Sequence, residues 1–151
     1  MFCENILLSY CRAHSRIALG VATSGIAATL LKNGRTAQSR FHLPITTHEH
    51  CMWNVTATSQ EAELFHKTKL IIWDEITMAH QHLIEALDTR LQDITNNDNA
   101  FGGKIIVFAG DFQQTLPIVK HGSRAQIVNA CLKRSHIWNA NIEIHHFIVN
   151  M

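Results

Sequence analysis

The stretch Lys69-Leu70-Ile71-Ile72-Trp73-Asp74-Glu75 decides how this chain is read. Leu70 to Trp73 follow one another without a polar break, so neither face of the segment is left for water. That is the pattern of a strand buried on both sides, and it ends abruptly in two carboxylates. Two runs of the same kind flank it, Ile17-Ala18-Leu19-Gly20-Val21-Ala22 upstream and Ile105-Ile106-Val107-Phe108-Ala109 downstream. The first leads into Thr23-Ser24-Gly25, the last into Gly110-Asp111.

Helix-like stretches separate the strands. Residues 4 to 15 carry Ile6, Leu7, Tyr10 and Cys11 as an amphipathic stripe. Ser24-Gly25 opens a second helix that stops near Lys32-Asn33-Gly34, and residues 59 to 67 predict a short third one. The longest runs from about Ala79 to Thr95, its apolar face set by Leu83, Ile84, Leu87, Leu91 and Ile94. Residues 123 to 133 predict another helix, with Ile127, Val128, Cys131 and Leu132 on one side, and Ile142 to Val149 a last strand. Pro44 with the Thr/His-rich residues after it, and Phe101-Gly102-Gly103, are loops. Buried strands alternating with helices mean βαβ units. The expected fold is therefore α/β, a doubly wound or RecA-like parallel sheet with helices on both faces. Ligands of such sheets sit outside the carboxyl ends of the strands, where Ser24, Asp74-Glu75 and Gly110-Asp111 converge.

Length and composition bound the function. The 151 residues make one domain, and 46% hydrophobic residues supply a core. Only 17% are charged, against roughly 25% in a typical soluble domain, which implies surface covered by further chain or a partner. The net charge of +1 gives no overall basic field, though a locally basic groove fits within a neutral whole. Intrinsic disorder and collagen-like or mucin-like composition are excluded. No apolar run reaches the roughly 18 residues of a membrane span. Glu4 stands where a signal peptide has its basic region, so no membrane or secretory role is expected. Cys3, Cys11, Cys51 and Cys131 are widely spaced, as reduced thiols are. His48-Glu49-His50-Cys51 and His145-His146 lack the paired spacing of a structural zinc site and are read as ordinary polar residues.

Three clusters carry chemistry. A hydrophobic strand ending in Asp74-Glu75 has the form of a Walker B site. One carboxylate holds Mg²⁺ through water, and its neighbour orients or deprotonates an attacking water. In Gly110-Asp111-Phe112-Gln113-Gln114-Thr115-Leu116-Pro117, a neutral amide at a strand tip can donate to a γ-phosphate and accept from that water. Thr23-Ser24-Gly25 offers hydroxyls and backbone N–H groups ahead of a helix. Arg35-Thr36-Ala37-Gln38-Ser39-Arg40-Phe41 adds cations, short polar side chains and an aromatic on which a base of single-stranded nucleic acid can stack. No GxxxxGK[ST] phosphate loop occurs in the 151 residues.

Taken in order, these stretches resemble the Pif-type helicases, ATP-driven 5′-to-3′ DNA helicases of superfamily one, in the branch that includes the helicase portion of Helitron transposons. Val21 to Leu31 is similar to motif Ia, Gly34 to Pro44 to the DNA-contacting stretch after it, and Leu70 to Ala79 to motif II. Phe101-Gly102-Gly103-Lys104 with Gly110 to Pro117 resembles motif III, and Ile127-Val128-Asn129-Ala130 with Trp138 the stretch that follows. The resemblance implies that Asp74 holds Mg²⁺ through water, Glu75 activates the water, and Gln114 senses the γ-phosphate and couples it to DNA. Gly110 and Asp111 join them around the nucleotide. Thr23, Ser24, Gly25, Arg35, Thr36, Gln38, Ser39 and Phe41 would line the single-strand path. Gln38 stands where the branch usually has His, and Gln113 where the family often carries Arg.

The resemblance also implies that residues 1–151 are the middle of a first RecA-like motor domain, incomplete at both ends. The Walker A loop would precede residue 2, and Asn150-Met151 would open an Asn-Met-Arg motif. Its expected partners are ATP, single-stranded and tailed duplex DNA, and the missing parts of its own helicase chain. Its expected setting is nuclear, or else mitochondrial, in DNA repair, recombination and telomere maintenance. Two other readings stay open: a non-catalytic single-strand-binding or protein-interaction remnant of a transposon helicase, and a different P-loop enzyme such as a nucleotide kinase.

Overall fold

The computed structural model describes residues 1–43, 59–119 and 122–146. Its centre is an all-parallel sheet of four strands: β1 (Ile17–Ala22), β2 (Arg35–Thr36), β3 (Thr68–Asp74) and β4 (Ile105–Phe108), in the order β2-β1-β3-β4. Around it, in chain order, lie α1 (Phe2–Ala13), α2 (Gly25–Leu30), α3 (Ala37–Phe41), α4 (Gln60–Lys67), α5 (Gln81–Thr95), α6 (Arg124–Ala130) and α7 (His136–Asn141). The expected α/β parallel layer is thus present. Pro44 and His48 to Cys51 lie outside the described residues.

The alternation of side chains along each strand sorts the core into two layers. Leu19 and Val21 of β1 and Ile71 and Trp73 of β3 face one side, where Phe41, Phe65, Leu83, Leu87 and Leu91 from α3, α4 and α5 cover them. Ala18 and Ala22 of β1 and Leu70 and Ile72 of β3 face the other, against Leu8 of α1 and Ala27 and Ala28 of α2. An uninterrupted apolar run is what a strand clad on both faces requires. Gly20 sets the approach of α1: a Cβ there would lie 3.0 Å from Leu8 Cδ1.

Several sequence expectations are corrected. Helix α1 forms, but Leu8 is its wholly buried residue, while Ile6, Leu7 and Tyr10 of the expected stripe are exposed. Leu8 and Cys11 lie three apart on one face, and the gap over Gly20 receives Leu8. Helix α2 ends at Leu30, before the expected stop, in a turn where Gly34 N–H donates to the Leu31 carbonyl (2.9 Å). Residues 35 to 41 are a short edge strand and a helix, with Thr36 as N-cap. The run Ile105–Phe108 is a strand at the end of the sheet order, so its residues are only partly buried and Ile105 is 64% exposed. The helix expected over 123 to 133 stops at Ala130 and gives way to a 3-10 turn over Leu132–Arg134. No strand forms over 142–146, and the rest of that expected strand lies outside the described residues.

Candidate functional site

Register brings the site together. Val21 and Ala22 of β1 pair with Arg35 and Thr36 of β2 on one side and with Trp73 and Asp74 of β3 on the other, while Trp73 pairs with Phe108 of β4. Four strands therefore end level, and Thr23-Ser24, Thr36, Asp74-Glu75 and Gly110-Asp111 emerge along one carboxyl edge. Two bonds carry the β3–β4 ladder past the strand ends. Ala109 N–H donates to the Trp73 carbonyl (2.9 Å), and Ile76 N–H to the Ala109 carbonyl (3.0 Å).

Asp74 closes β3 at 8% exposure. Its Oδ1 accepts the backbone N–H of Glu75 (2.9 Å), and its carbonyl accepts that of Thr23 (3.1 Å). Burial pushes the carboxyl above its ordinary value, the Glu75 N–H pulls it back in part, and nearby Glu4 adds to the rise. Glu75 turns the corner in the left-handed region (φ 51°, ψ 39°), where a side chain with a Cβ is strained. Its Oε2 is buried with no hydrogen-bond partner. An orphaned carboxylate oxygen beside a desolvated carboxylate is a pair of hard donors held for a ligand. That suits Mg²⁺, which takes one or two carboxylates and completes its shell with water and phosphate oxygens. Among the described residues no group of three or more His, Cys, Asp or Glu forms a metal cage by itself. These carboxylates would hold the ion only with a nucleotide's phosphates.

Trp73 Nε1–H donates to Thr23 Oγ1 (3.0 Å). Because the indole is a donor only, the Thr23 hydroxyl keeps its own hydrogen to give outward. Ser24 Oγ accepts Ala27 N–H (3.2 Å) and Thr36 Oγ1 accepts Ser39 N–H (3.2 Å), so both hydroxyls cap the helices that follow. Gly25, Arg35 and Ser39 are exposed and Gln38 is half-buried. Phe41 departs from its expected role. It is 0% exposed and tilted against Phe65 and Trp73, each with ring centroids 5.7 Å away. The ring anchors α3 in the core, where no base can stack on it, because an aromatic this large contributes most when removed from water.

Past β4, Asp111 Oδ1 accepts Gln113 N–H (2.8 Å) and its carbonyl accepts Gln114 N–H (3.1 Å), a tight Asx turn that leaves Gln114 exposed. The hydroxyls of Thr77 and Thr115 meet at 2.7 Å, joining the turn after Glu75 to the loop that bears Gln114. Sequence reading missed this link, since two threonines 38 positions apart give no local sign of pairing. It missed Glu4 too, whose carboxylate reaches Asp74 electrostatically from the first turn of α1. A glutamate in a first helical turn is the only signal it leaves. His145 and His146 are exposed.

The comparisons with known proteins bear on the family and the fold. The ATP-dependent DNA helicase Pif1 of Psychrobacter sp. (strain PRwf-1) is 32% identical over 120 residues, 78% of this chain and 18% of the relative. Among solved structures, Pif1 helicase from Candida albicans superposes with a TM-score of 0.77 at 25% identity, over 94% of this chain and 31% of that one. Pif1 from Bacteroides sp. in complex with ADP-AlF4 superposes with a TM-score of 0.69 at 25% identity, over 89% of this chain and 32% of that one. The RecA-like layer is thus shared with these helicases, and the chain spans 18% of the length of the Psychrobacter relative. The sequence pattern of PIF1-like helicases matches residues 1–151. With its parallel sheet, its acidic strand tip and a match that runs from the first residue to the last, the chain belongs to the PIF1-like helicase family.

Proposed function

We propose that residues 1–151 are part of the first RecA-like motor domain of an ATP-dependent DNA helicase working 5′ to 3′, and that the carboxyl edge is where ATP and single-stranded DNA meet. The observation that carries this reading is the register, which aligns Asp74-Glu75, Thr23-Ser24, Thr36 and the Gly110–Gln114 loop on one edge. Asp74 would hold Mg²⁺ through water, and the ion when bound would neutralise charge on the nucleotide's phosphates. Glu75, fixed by its corner, orients the water that attacks the γ-phosphorus and takes its proton onto a carboxylate oxygen. Gln114 donates its amide N–H to a γ-phosphate oxygen. When that phosphate leaves, the change passes through Thr115 and Thr77 to the turn behind Glu75, and through the Asp74–Thr23 bond to the DNA-lining strand. Thr23, Ser24, Arg35, Thr36, Gln38 and Ser39 lie along the path given to single-stranded and tailed duplex DNA.

A place in repair, recombination and telomere maintenance, a nuclear setting, and kinship with Helitron helicases rest on the motif resemblance. So does the partial-domain reading, under which these residues by themselves neither hydrolyse ATP nor unwind a 5′-tailed duplex in single turnover. Replacing the matched segment of the Psychrobacter helicase with this chain tests the site. The chimera is expected to keep DNA-stimulated ATP hydrolysis, and E75Q in it to lower kcat by about 10²-fold or more. A chimera whose hydrolysis ignores E75Q would overturn the assignment.

A further inference from the structure

We propose that Glu85 is a positioning residue for the Gln114 loop, which it seats from the head of α7 through Ser135, Trp138 and Phe112. This deepens, and rests on, the role given above to Gln114. Neither the motif resemblance nor the strand register gives Glu85 a part.

The loop has two anchors, with Gln114 between them. On one side Thr115 meets Thr77, hydroxyl to hydroxyl, at 2.7 Å. On the other, Phe112 packs edge-on to Trp138 of α7 (centroids 5.3 Å apart), with Lys133 Nζ 4.2 Å over the same ring. Gln114 is itself exposed, so its place follows theirs. Helix α7 is six residues long, too short to keep its direction by its own hydrogen bonds. Where Trp138 stands therefore depends on how the first turn of α7 is fixed.

Glu85 of α5 does the fixing. Ser135 caps α7, its Oγ accepting Ile137 N–H (3.3 Å), and is 1% exposed, so the hydrogen of its hydroxyl needs a buried acceptor. It goes to Glu85 Oε1 at 2.7 Å, a short bond of the charge-assisted kind. His136 Nδ1 lies 3.4 Å from the same oxygen, and His82 Nδ1 lies 3.1 Å from Oε2. One carboxylate thus joins α5 to the head of α7. Burial would raise the Glu85 carboxyl, but the hydrogen bonds from Ser135 and His82 and the charges of His82 and His136 outweigh it and lower the group. It is held ionised, the form that accepts on both oxygens. His80, its ring 4.6 Å from that of His82, is pushed down by burial and by His82. Glu61 and Glu63 of α4 are paired with His42 and Lys67, and the charges of Lys133 and Arg134, in the turn before α7, bear on Cys131. The imidazoles that meet Glu85 directly are His82 and His136.

Two-dimensional nuclear magnetic resonance of N–H groups in the 151-residue chain tests the route. E85A is expected to shift the Trp138 indole and the Gln114 amide, while the amides of Gly20 and Ile72 at the centre of the sheet stay in place. E85Q keeps an acceptor for the Ser135 hydroxyl and is expected to return the Gln114 amide toward its parent position. In W138L, where the route is already cut, adding E85A is expected to leave Gln114 unmoved. A Gln114 amide that ignores E85A overturns the assignment. So does one displaced as far by E85Q as by E85A, or as far by E85A in W138L as in the parent. Should E85A fail to fold, pH decides. The parent Gln114 amide is expected to drift between about pH 8 and pH 5 as imidazoles gain charge, and E85Q to lose most of that drift. Equal drift in the two overturns the assignment. None of these spectra involves nucleotide, so the helicase reading fails separately, when the chimera ignores E75Q.

Discussion

At the scale of single residues, the acidic pair carries two costs. Asp74 is desolvated, and Glu75 holds a left-handed backbone with a buried, unpartnered oxygen. Both features oppose folding, and local strain of this kind gathers at sites whose function needs it. The sign of the pH effect follows from the raised Asp74 carboxyl. The folded chain binds that proton more tightly than the unfolded chain does. Stability is therefore lost as pH climbs from the ordinary value of 3.8 through the folded value, and the loss is complete above it. D74N removes the charge while its Oδ1 can still accept the Glu75 N–H. We expect D74N to melt at a higher temperature than the parent at pH 7, with the gap closing as pH falls toward 3.8. Thermal unfolding by circular dichroism at several pH values checks this, and a gap that persists at low pH would refute it.

At the scale of elements, the route from α5 into β4 is set by one buried carboxylate. Asp88 of α5 accepts the backbone N–H of Phe101 at Oδ1 (2.5 Å) and the Gln92 amide on both oxygens (3.3 Å each). Phe101, Gly102 and Gly103 are all left-handed (φ 53°, 63° and 73°), and Gly102 N–H donates to the Asn99 carbonyl (2.8 Å) and Lys104 N–H to that of Phe101 (3.3 Å). A Cβ on Gly102 would collide with Thr95 Oγ1 and the Leu91 carbonyl, so the turn admits only glycine there. Lys104 then fastens the start of β4 by donating to the carbonyls of His66 and Thr68 (3.0 Å each). D88A strands the Phe101 N–H and is expected to cost about 2 kcal/mol, while D88N, which keeps an acceptor, costs less. Urea unfolding measures both, as a lower midpoint at unchanged slope. Equal losses in the two variants would mean that charge matters there and acceptor geometry does not.

At the scale of the whole molecule, the two edges of the sheet differ. β2 is two residues long, a short edge of the kind that resists pairing with other chains. β4 presents Ile105-Ile106-Val107-Phe108 with no charge or proline, and Ile105 is largely exposed. Among the described residues no strand pairs with its outer side, and an apolar edge of this kind is a template for another strand. I105K is expected to shift the chain toward monomer in light scattering at high concentration. Its effect on folding stability should stay within about 0.5 kcal/mol, as for other exposed positions. Unchanged association in I105K would place the sticky surface elsewhere. Behind that edge, Lys133 sits 4.2 Å over the Phe112 ring, and Trp138 meets the same ring edge-on (centroids 5.3 Å apart). The loop bearing Gln114 is thereby held from α7 as well as from Thr77.

The sequence by itself determined β1, β3 and β4, the helices α1, α2, α4, α5 and α6 and the acidic tip at Asp74-Glu75, because hydrophobic period and capping chemistry are local properties of neighbouring residues, whereas β2, α3 and α7 left no such sign. Ser24, Ser59 and Ser123 announce their helices before any tertiary contact exists, and the apolar face of α5 is where its spacing places it. The motif order likewise carried the family. Only the tertiary structure decided which face of α1 is inside, that Phe41 is a core anchor, that β4 is an edge, and that Thr77 finds Thr115. Those outcomes depend on register and on which strands are neighbours. Such relations join residues tens of positions apart, and a pattern read along the chain carries no distance across it.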